Sequence, residues 1–96
     1  NAHVAIEQLS AYPVEHRVAA TLLHLAGKAG KEQDGGTLIE MPLSRQDIAD
    51  MTGVKVETVS RIMSEFRKEG VIDSGRRWIS VLDDARLRQL AGDALG

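Results

Sequence analysis

Ninety-six residues suffice for one compact domain with a single core but not for two. The core must be aliphatic, since Tyr12, Phe66 and Trp78 are the only aromatic residues, and the absence of cysteine excludes disulfide frameworks and thiolate metal sites. With a net charge of −2, no apolar run near the ~18 residues of a membrane span and no basic-then-apolar leader, the expected class is a soluble cytoplasmic protein.

The chain opens on Asn1 instead of Met and is expected to be a fragment. Residues 1–11 place Val4, Ala5, Ile6 and Leu9 among polar neighbours, which suits either the tail of an apolar-striped helix whose partner lies outside this chain or an N-terminal arm. Pro13 then fits the first turn of a new helix, where its missing N–H does no harm. Val14, Val18, Leu22, Leu25 and Ala29 recur at helical spacing, widened by Ala19, Leu23 and Ala26, and predict one apolar face that ends near Gly30. His16 and His24 lie on this helix eight residues apart, whereas a two-histidine metal site on a helix needs a separation of about three or four. No metal role follows for them or for His3.

Residues 30–36 (GKEQDGG) read as a loop, with three glycines and Asp34 supplying the positive φ a turn needs. The paired glycines lack the Gly-Lys-Ser/Thr ending of a phosphate-cradling loop. Residues 37–43 (TLIEMPL) predict a short strand, placed at a sheet edge by Pro42.

Residues 43–72 (LSRQDIADMTGVKVETVSRIMSEFRKEGVI) form the segment the rest braces. Ser44 is a good N-cap, and Asp47 three residues on can answer it in the manner of a capping box, so a helix starts at Arg45. Ile48, Ala49 and Met51 follow, and the helix stops at Thr52–Gly53. A second helix from Val56 to Lys68 carries Val59, Ile62, Met63 and Phe66 at i, i+3, i+4 and i+7 and ends at Gly70. A small residue at the crossing (Ala49), a glycine in the turn (Gly53) and an apolar anchor (Val59), with Ile48, Val54 and Ile62 inward, predict a helix-turn-helix. With Val59 and Ile62 buried, Val56, Glu57, Ser60 and Arg61 occupy the early outer face, the part of a recognition helix that reaches base edges. Arg61 can bond guanine bidentately, Glu57 can accept from a cytosine amino group, and the Val56 methyls can pack on a thymine methyl. Glu57 and Arg61 are equally suited to a solvated i, i+4 ion pair.

After Gly70, two β-prone runs, Val71-Ile72 and residues 78–82, flank a Ser-Gly turn and predict a hairpin, a wing, with Arg76 and Arg77 by its tip. Arginines there can hold phosphate, or can be an ordinary charged tip. Lys55, at the head of the second helix, joins that basic set. Asp83 or Asp84 caps a last short helix through Leu90, with Leu87 and Leu90 folding back on the core, and residues 93–96 are loose. From Lys55 to Arg77 six basic residues face four acidic, a net +2, so the rest of the chain carries −4. A basic face on an acidic body suits a nucleic-acid binder completed by a second copy or a partner.

Three stretches, PVEHRVAATLLHLA, residues 43–72 and GRRWISV, carry a resemblance to the C-terminal DNA-binding domain of the Crp/Fnr family of bacterial transcription regulators. The resemblance implies a mainly α fold with a small β-hairpin wing: a winged helix-turn-helix of three main helices plus a short C-terminal one. It implies residues 1–11 as the tail of a dimerisation helix and residues 12–96 as the DNA-binding domain. It further implies that Ser44, Arg45, Gln46 and Thr58 touch phosphates while Glu57 and Arg61 read bases of double-stranded DNA. A homodimer on a two-fold-symmetric site and contact with RNA polymerase belong to the same expectation. Val56-Glu57 with Ser60-Arg61 (V-E-x-x-S-R) resembles the Fnr-like branch, the cyclic-AMP-receptor branch carrying arginine where this chain has Val56, and so implies TTGA half-sites. Lys55 departs from the Ser or Thr that often caps the second helix.

The resemblance also implies a separate N-terminal sensor domain binding an effector; no cofactor is expected in this fragment, and its residues do not name the effector. The alternative, a winged helix used for protein contact without DNA, is favoured by the acidic net charge. An enzyme is not expected, because no Ser/His/Asp ordering, metal spacing or carboxylate pair stands out.

Overall fold

A computed structural model describes residues 13–92. The expectations for residues 1–11 and 93–96 lie outside the described residues. Helix α1 (Val14–Ala29) starts behind Pro13, whose carbonyl accepts the Arg17 backbone N–H at 3.2 Å. It buries Val18, Leu22, Leu23 and Leu25 and packs on every layer of the domain, most extensively on the C-terminal helix.

The loop expected over residues 30–36 is instead a hairpin. Strands β1 (Gly30–Gln33) and β2 (Gly36–Ile39) pair antiparallel with Gln33 opposite Gly36, so Asp34 and Gly35 form a two-residue turn, both at positive φ. Asp-Gly is the pair that such a turn favours, because its backbone twist matches that of the flanking strands. The strand expected over residues 37–43 stops at Ile39, and Pro42 lies beyond it. β2 is therefore not an edge; with β3 (Ile72–Gly75) and β4 (Trp78–Val81) the sheet has the order β1-β2-β4-β3, and β2 sits between β1 and β4.

Helix α2 (Arg45–Thr52) has the expected capping box: the Ser44 hydroxyl accepts from the Asp47 N–H at 3.0 Å, and Asp47 Oδ2 accepts from the Ser44 N–H at 2.8 Å. It stops at Gly53, whose φ of +71° is left-handed, a region that costs a residue bearing a Cβ. The N–H groups of Gly53 and Val54 both return to the Ala49 carbonyl, at 2.9 and 3.2 Å. Helix α3 (Val56–Lys68) buries Val59, Ile62, Met63 and Phe66. It closes with the Val71 N–H on the Phe66 carbonyl and the Gly70 N–H on the Arg67 carbonyl, the double bond of a left-handed helix terminus. Ile48, Ala49, Val54, Val59 and Ile62 are all buried, as the helix-turn-helix pattern predicts, whereas Met51 is exposed.

Strands β3 (Ile72–Gly75) and β4 (Trp78–Val81) form the wing hairpin. Its turn is Arg76-Arg77 and not Ser-Gly: Ser74 and Gly75 lie inside β3, paired with Ile79 and Trp78. The Trp78 indole lies against Gly75 so closely that any Cβ there would collide with it. Glycine is thus used for close approach and not for turning. Asp83 caps α4 (Asp84–Ala91) by accepting the Arg86 N–H at 3.0 Å. Leu87 and Ala91 are buried against α1, with Leu90 packed beside them. The domain is mainly α, with the expected wing extended into a four-stranded sheet by the first hairpin.

Candidate nucleic-acid interface

The apolar stripe of α3 fixes which of its side chains face outward. At about 100° per residue, positions 57 and 61 fall opposite the Val59–Ile62–Met63–Phe66 stripe, while 56, 58 and 60 fall on its flanks. Glu57 and Arg61 are exposed accordingly, and Thr58 and Ser60 are half-buried. Val56 is half-buried too and packs against the core. Its expected exposure is corrected by its place three residues before Val59, on the shoulder of the stripe, which leaves only part of its methyl surface outward. The i, i+4 pair between Glu57 and Arg61 does not form; Arg61 Nη1 reaches forward to Glu65 Oε1 at 2.8 Å. Glu65 lies toward the C-terminus of α3, so the early outer face keeps an acceptor, Glu57, beside a donor, Arg61, that is turned toward Glu65.

Lys55 is the N-cap of α3, and its side chain makes no cap bond. A lysine has no acceptor to offer, so the first turn of α3 presents its N–H groups without a side-chain cap and carries the positive end of the helix dipole. The turn ahead of it is held by Arg17, whose Nη1 donates to the Thr52 carbonyl at 3.2 Å and lies beside Gly53. Thr52 Oγ1 donates in turn to the Ile48 carbonyl at 2.7 Å. Arg17 is not among the expected site residues, and sequence offers little sign of it: one cation on an apolar helix reads as solvated until the tertiary contact is seen.

At the start of α2, Ser44 is engaged in the capping box and Gln46 Nε2 donates to Asp50 Oδ1 at 2.9 Å. Arg45 points elsewhere. Its Nη2 donates to the Ser74 hydroxyl of β3 at 3.2 Å, tying α2 to the wing. Burial lowers the Arg45 pKa from its ordinary value, and the neighbouring Arg67 lowers it further; a guanidinium stays charged regardless. Arg67 Nε meets Asp73 Oδ1 at 3.5 Å, tying α3 to the same strand. Ser74, Asp73 and Arg67 are likewise unexpected, because a Ser-Gly pair reads as a turn.

Arg76 and Arg77 are the two exposed residues of the wing turn, and Arg77 takes φ of +65°. The structure therefore links the head of α2 to the wing strand that ends in these arginines, and leaves Lys55, Glu57 and Arg61 together over the first two turns of α3. Among the described residues, no group of three or more His, Cys, Asp or Glu side chains is placed to hold a metal ion, and no helix is long and apolar enough to cross a membrane.

A family model described as a Crp-like helix-turn-helix domain matches residues 16–90. Electron transport regulator A of Shewanella oneidensis is 34% identical over 86 residues, 90% of this chain and 34% of that protein. Transcriptional activator protein FnrL of Cereibacter sphaeroides is 42% identical over 64 residues, 66% of this chain and 26% of that protein. The chain thus spans about a third or less of the length of these two relatives. Among solved structures, a CRP-family transcriptional regulator from Thermus thermophilus superposes with a TM-score of 0.82 at 33% identity, covering 96% of this chain and 47% of that one. Oxidized CprK in complex with o-chlorophenolacetic acid superposes with a TM-score of 0.80 at 29% identity, covering 86% of this chain and 35% of that one.

Proposed function

This chain belongs to the family of Crp-like helix-turn-helix domains, and from that premise we propose that it is the DNA-binding domain of a Crp/Fnr-type transcription regulator, with α3 in the major groove of double-stranded DNA. The observation that carries the reading is the early outer face of α3, where Glu57 and Arg61 stand exposed on a helix anchored by the Gly53 turn. Arg61 reads guanine, Glu57 accepts from a cytosine amino group on the opposing strand, and the outward part of Val56 meets a thymine methyl, with Ser60 beside it. Together with the V-E-x-x-S-R pattern this favours TTGA half-sites.

Backbone contacts orient the helix without reading sequence. Ser44, Arg45 and Gln46 at the head of α2, Lys55 and Thr58 at the head of α3, and Arg76 and Arg77 at the wing tip supply them. The relatives' greater length supports a full protein with an effector-binding sensor domain, a dimerisation helix whose tail is residues 1–11, and residues 12–96 as the reader. It acts in the cytoplasm as a homodimer that contacts RNA polymerase, and this domain performs no catalysis. The acidic net charge of −2 favours one rival, a winged helix used only for protein contact. Selection of bound duplexes from random DNA by the full-length protein tests the choice. Palindromes with TTGA-like halves are expected; enrichment of a different half-site refutes the Val56 assignment, and no enrichment together with a flat salt titration supports the rival.

A further inference from the structure

Ser74 is an odd residue for its place. In β3 the inward positions are Ile72 and Ser74, and Ser74 is only 8% exposed. A buried hydroxyl is costly without a partner, and an aliphatic side chain fills such a position better if filling is all it must do. The partner here is Arg45 Nη2, at 3.2 Å.

Arg45 has the complementary peculiarity. Its guanidinium is half-buried beside Arg67, yet the two cations are treated differently by their surroundings. Arg67 is compensated by Asp73 at 3.5 Å, and Asp73 is itself held by the Ser74 backbone N–H at 2.8 Å. Among the described residues, no carboxylate pairs with Arg45. A neutral hydroxyl thus fixes the direction of this side chain and leaves its charge unspent, which is how a cation is prepared for an anion not yet present.

We propose that Ser74 is a positioning residue for DNA binding: from the wing strand it holds the Arg45 guanidinium toward a backbone phosphate, so that the α2 contact is made only by a wing docked on the helix pair. This rests on the DNA-binding reading above. Ser74 itself touches no DNA. Its role is to spare Arg45 the loss of rotamer freedom that a long side chain otherwise meets on binding.

The test is a thermodynamic cycle in the full-length protein, with Ser74→Ala, Arg45→Ala, the double variant and Ser74→Thr. Each is titrated with the selected operator and with a scrambled duplex at several salt concentrations. Ser74→Ala is expected to weaken both duplexes alike, by about threefold to tenfold, and to lower the slope of log K against log salt by up to the ~0.9 that one phosphate contact contributes. Ser74→Thr restores both quantities, and adding Ser74→Ala to Arg45→Ala changes nothing more, because coupled residues are not additive. A wild-type slope in Ser74→Ala overturns the proposal, as does a double variant whose losses multiply. A purely structural serine would lower Tm without this pattern. Nitrogen-15 spectra of the unbound wild-type protein add a readout free of any folding defect: slowed rotation of the Arg45 guanidinium relative to that of Arg76 is expected, and equal rotation overturns the proposal. If Arg45→Ala leaves the slope unchanged while Arg61→Ala still abolishes base discrimination, the positioning role falls and the DNA-binding reading stands.

Discussion

Arg61 stands in an ion pair with Glu65, which the proposed reading of a base requires it to leave. Its partner Glu65 is exposed, and an exposed i, i+4 pair contributes only about 0.2–0.5 kcal/mol, whereas a bidentate bond to guanine discriminates by about 1–3 kcal/mol. On the proposed reading the groove contact therefore outweighs the ion pair. Arg61→Ala is expected to lose that discrimination, roughly 5- to 150-fold at one base pair, measured as the ratio of Kd values for matched and single-substituted operators. Equal losses on matched and scrambled DNA would refute base reading by Arg61. Arg77 poses a different trade. Its φ of +65° is a conformation that costs a non-glycine residue on the order of 1 kcal/mol, so Arg77→Gly relieves strain while deleting a cation. The expected result is an unchanged or raised Tm together with weaker binding to every duplex and a shallower salt slope. A fall in both Tm and base discrimination would mean that Arg77 shapes the wing instead of holding phosphate.

Among the elements, α3, like α1 behind Pro13, starts without a side-chain cap, with Lys55 where one could stand. Lys55→Ser supplies an acceptor to the first turn, worth about 1 kcal/mol, which in a domain this small corresponds to a Tm rise of about 4–8 °C. It also removes a cation and fills the N–H groups that a phosphate would use, so DNA affinity is expected to fall as thermal stability rises. A gain in both would show that the head of α3 is not a phosphate contact. The elements legible in the sequence are those whose signals are local and agree with one another. The Ser44–Asp47 capping box, the Gly53 stop and the α3 stripe each restate the same boundaries. The first hairpin escapes a sequence reading although Asp34-Gly35 is a strong two-residue turn signal, because Lys31, Glu32 and Gln33 show no apolar alternation to mark β1 as a strand. The wing turn reads two residues early since Ser-Gly is good turn chemistry, and only the Trp78 indole lying against Gly75 explains why that glycine sits within a strand. At the site itself the exposed pair Glu57 and Arg61 follows from periodicity, but the Arg17, Arg45–Ser74 and Arg67–Asp73 contacts span 6 to 35 residues, and no short-range pattern announces them.

At the scale of the molecule, charge decides how many copies must act together. The segment from Lys55 to Arg77 carries +2 within a chain of −2, so long-range attraction to DNA is weak and affinity rests on a few local contacts. One such domain on one half-site should therefore bind poorly at physiological salt. In the proposed homodimer, two linked domains turn the second contact into an intramolecular event, which raises avidity by about 10²–10⁴ when the spacing lets both engage. The requirement is geometric: the half-sites must present the groove to both recognition helices from one side of the duplex, about one helical turn apart. Full-length protein is thus expected to bind a palindrome at least a hundredfold more tightly than a duplex with one half-site scrambled, and to lose the advantage when five base pairs are inserted between the halves. The 96-residue chain provides the control, and on the proposed reading it is expected to bind both duplexes with nearly equal, weak affinity. If the short chain showed the same palindrome preference as the full protein, the domain would carry its own dimer contact, and the acidic surface away from α3 and the wing would be the place to look for it.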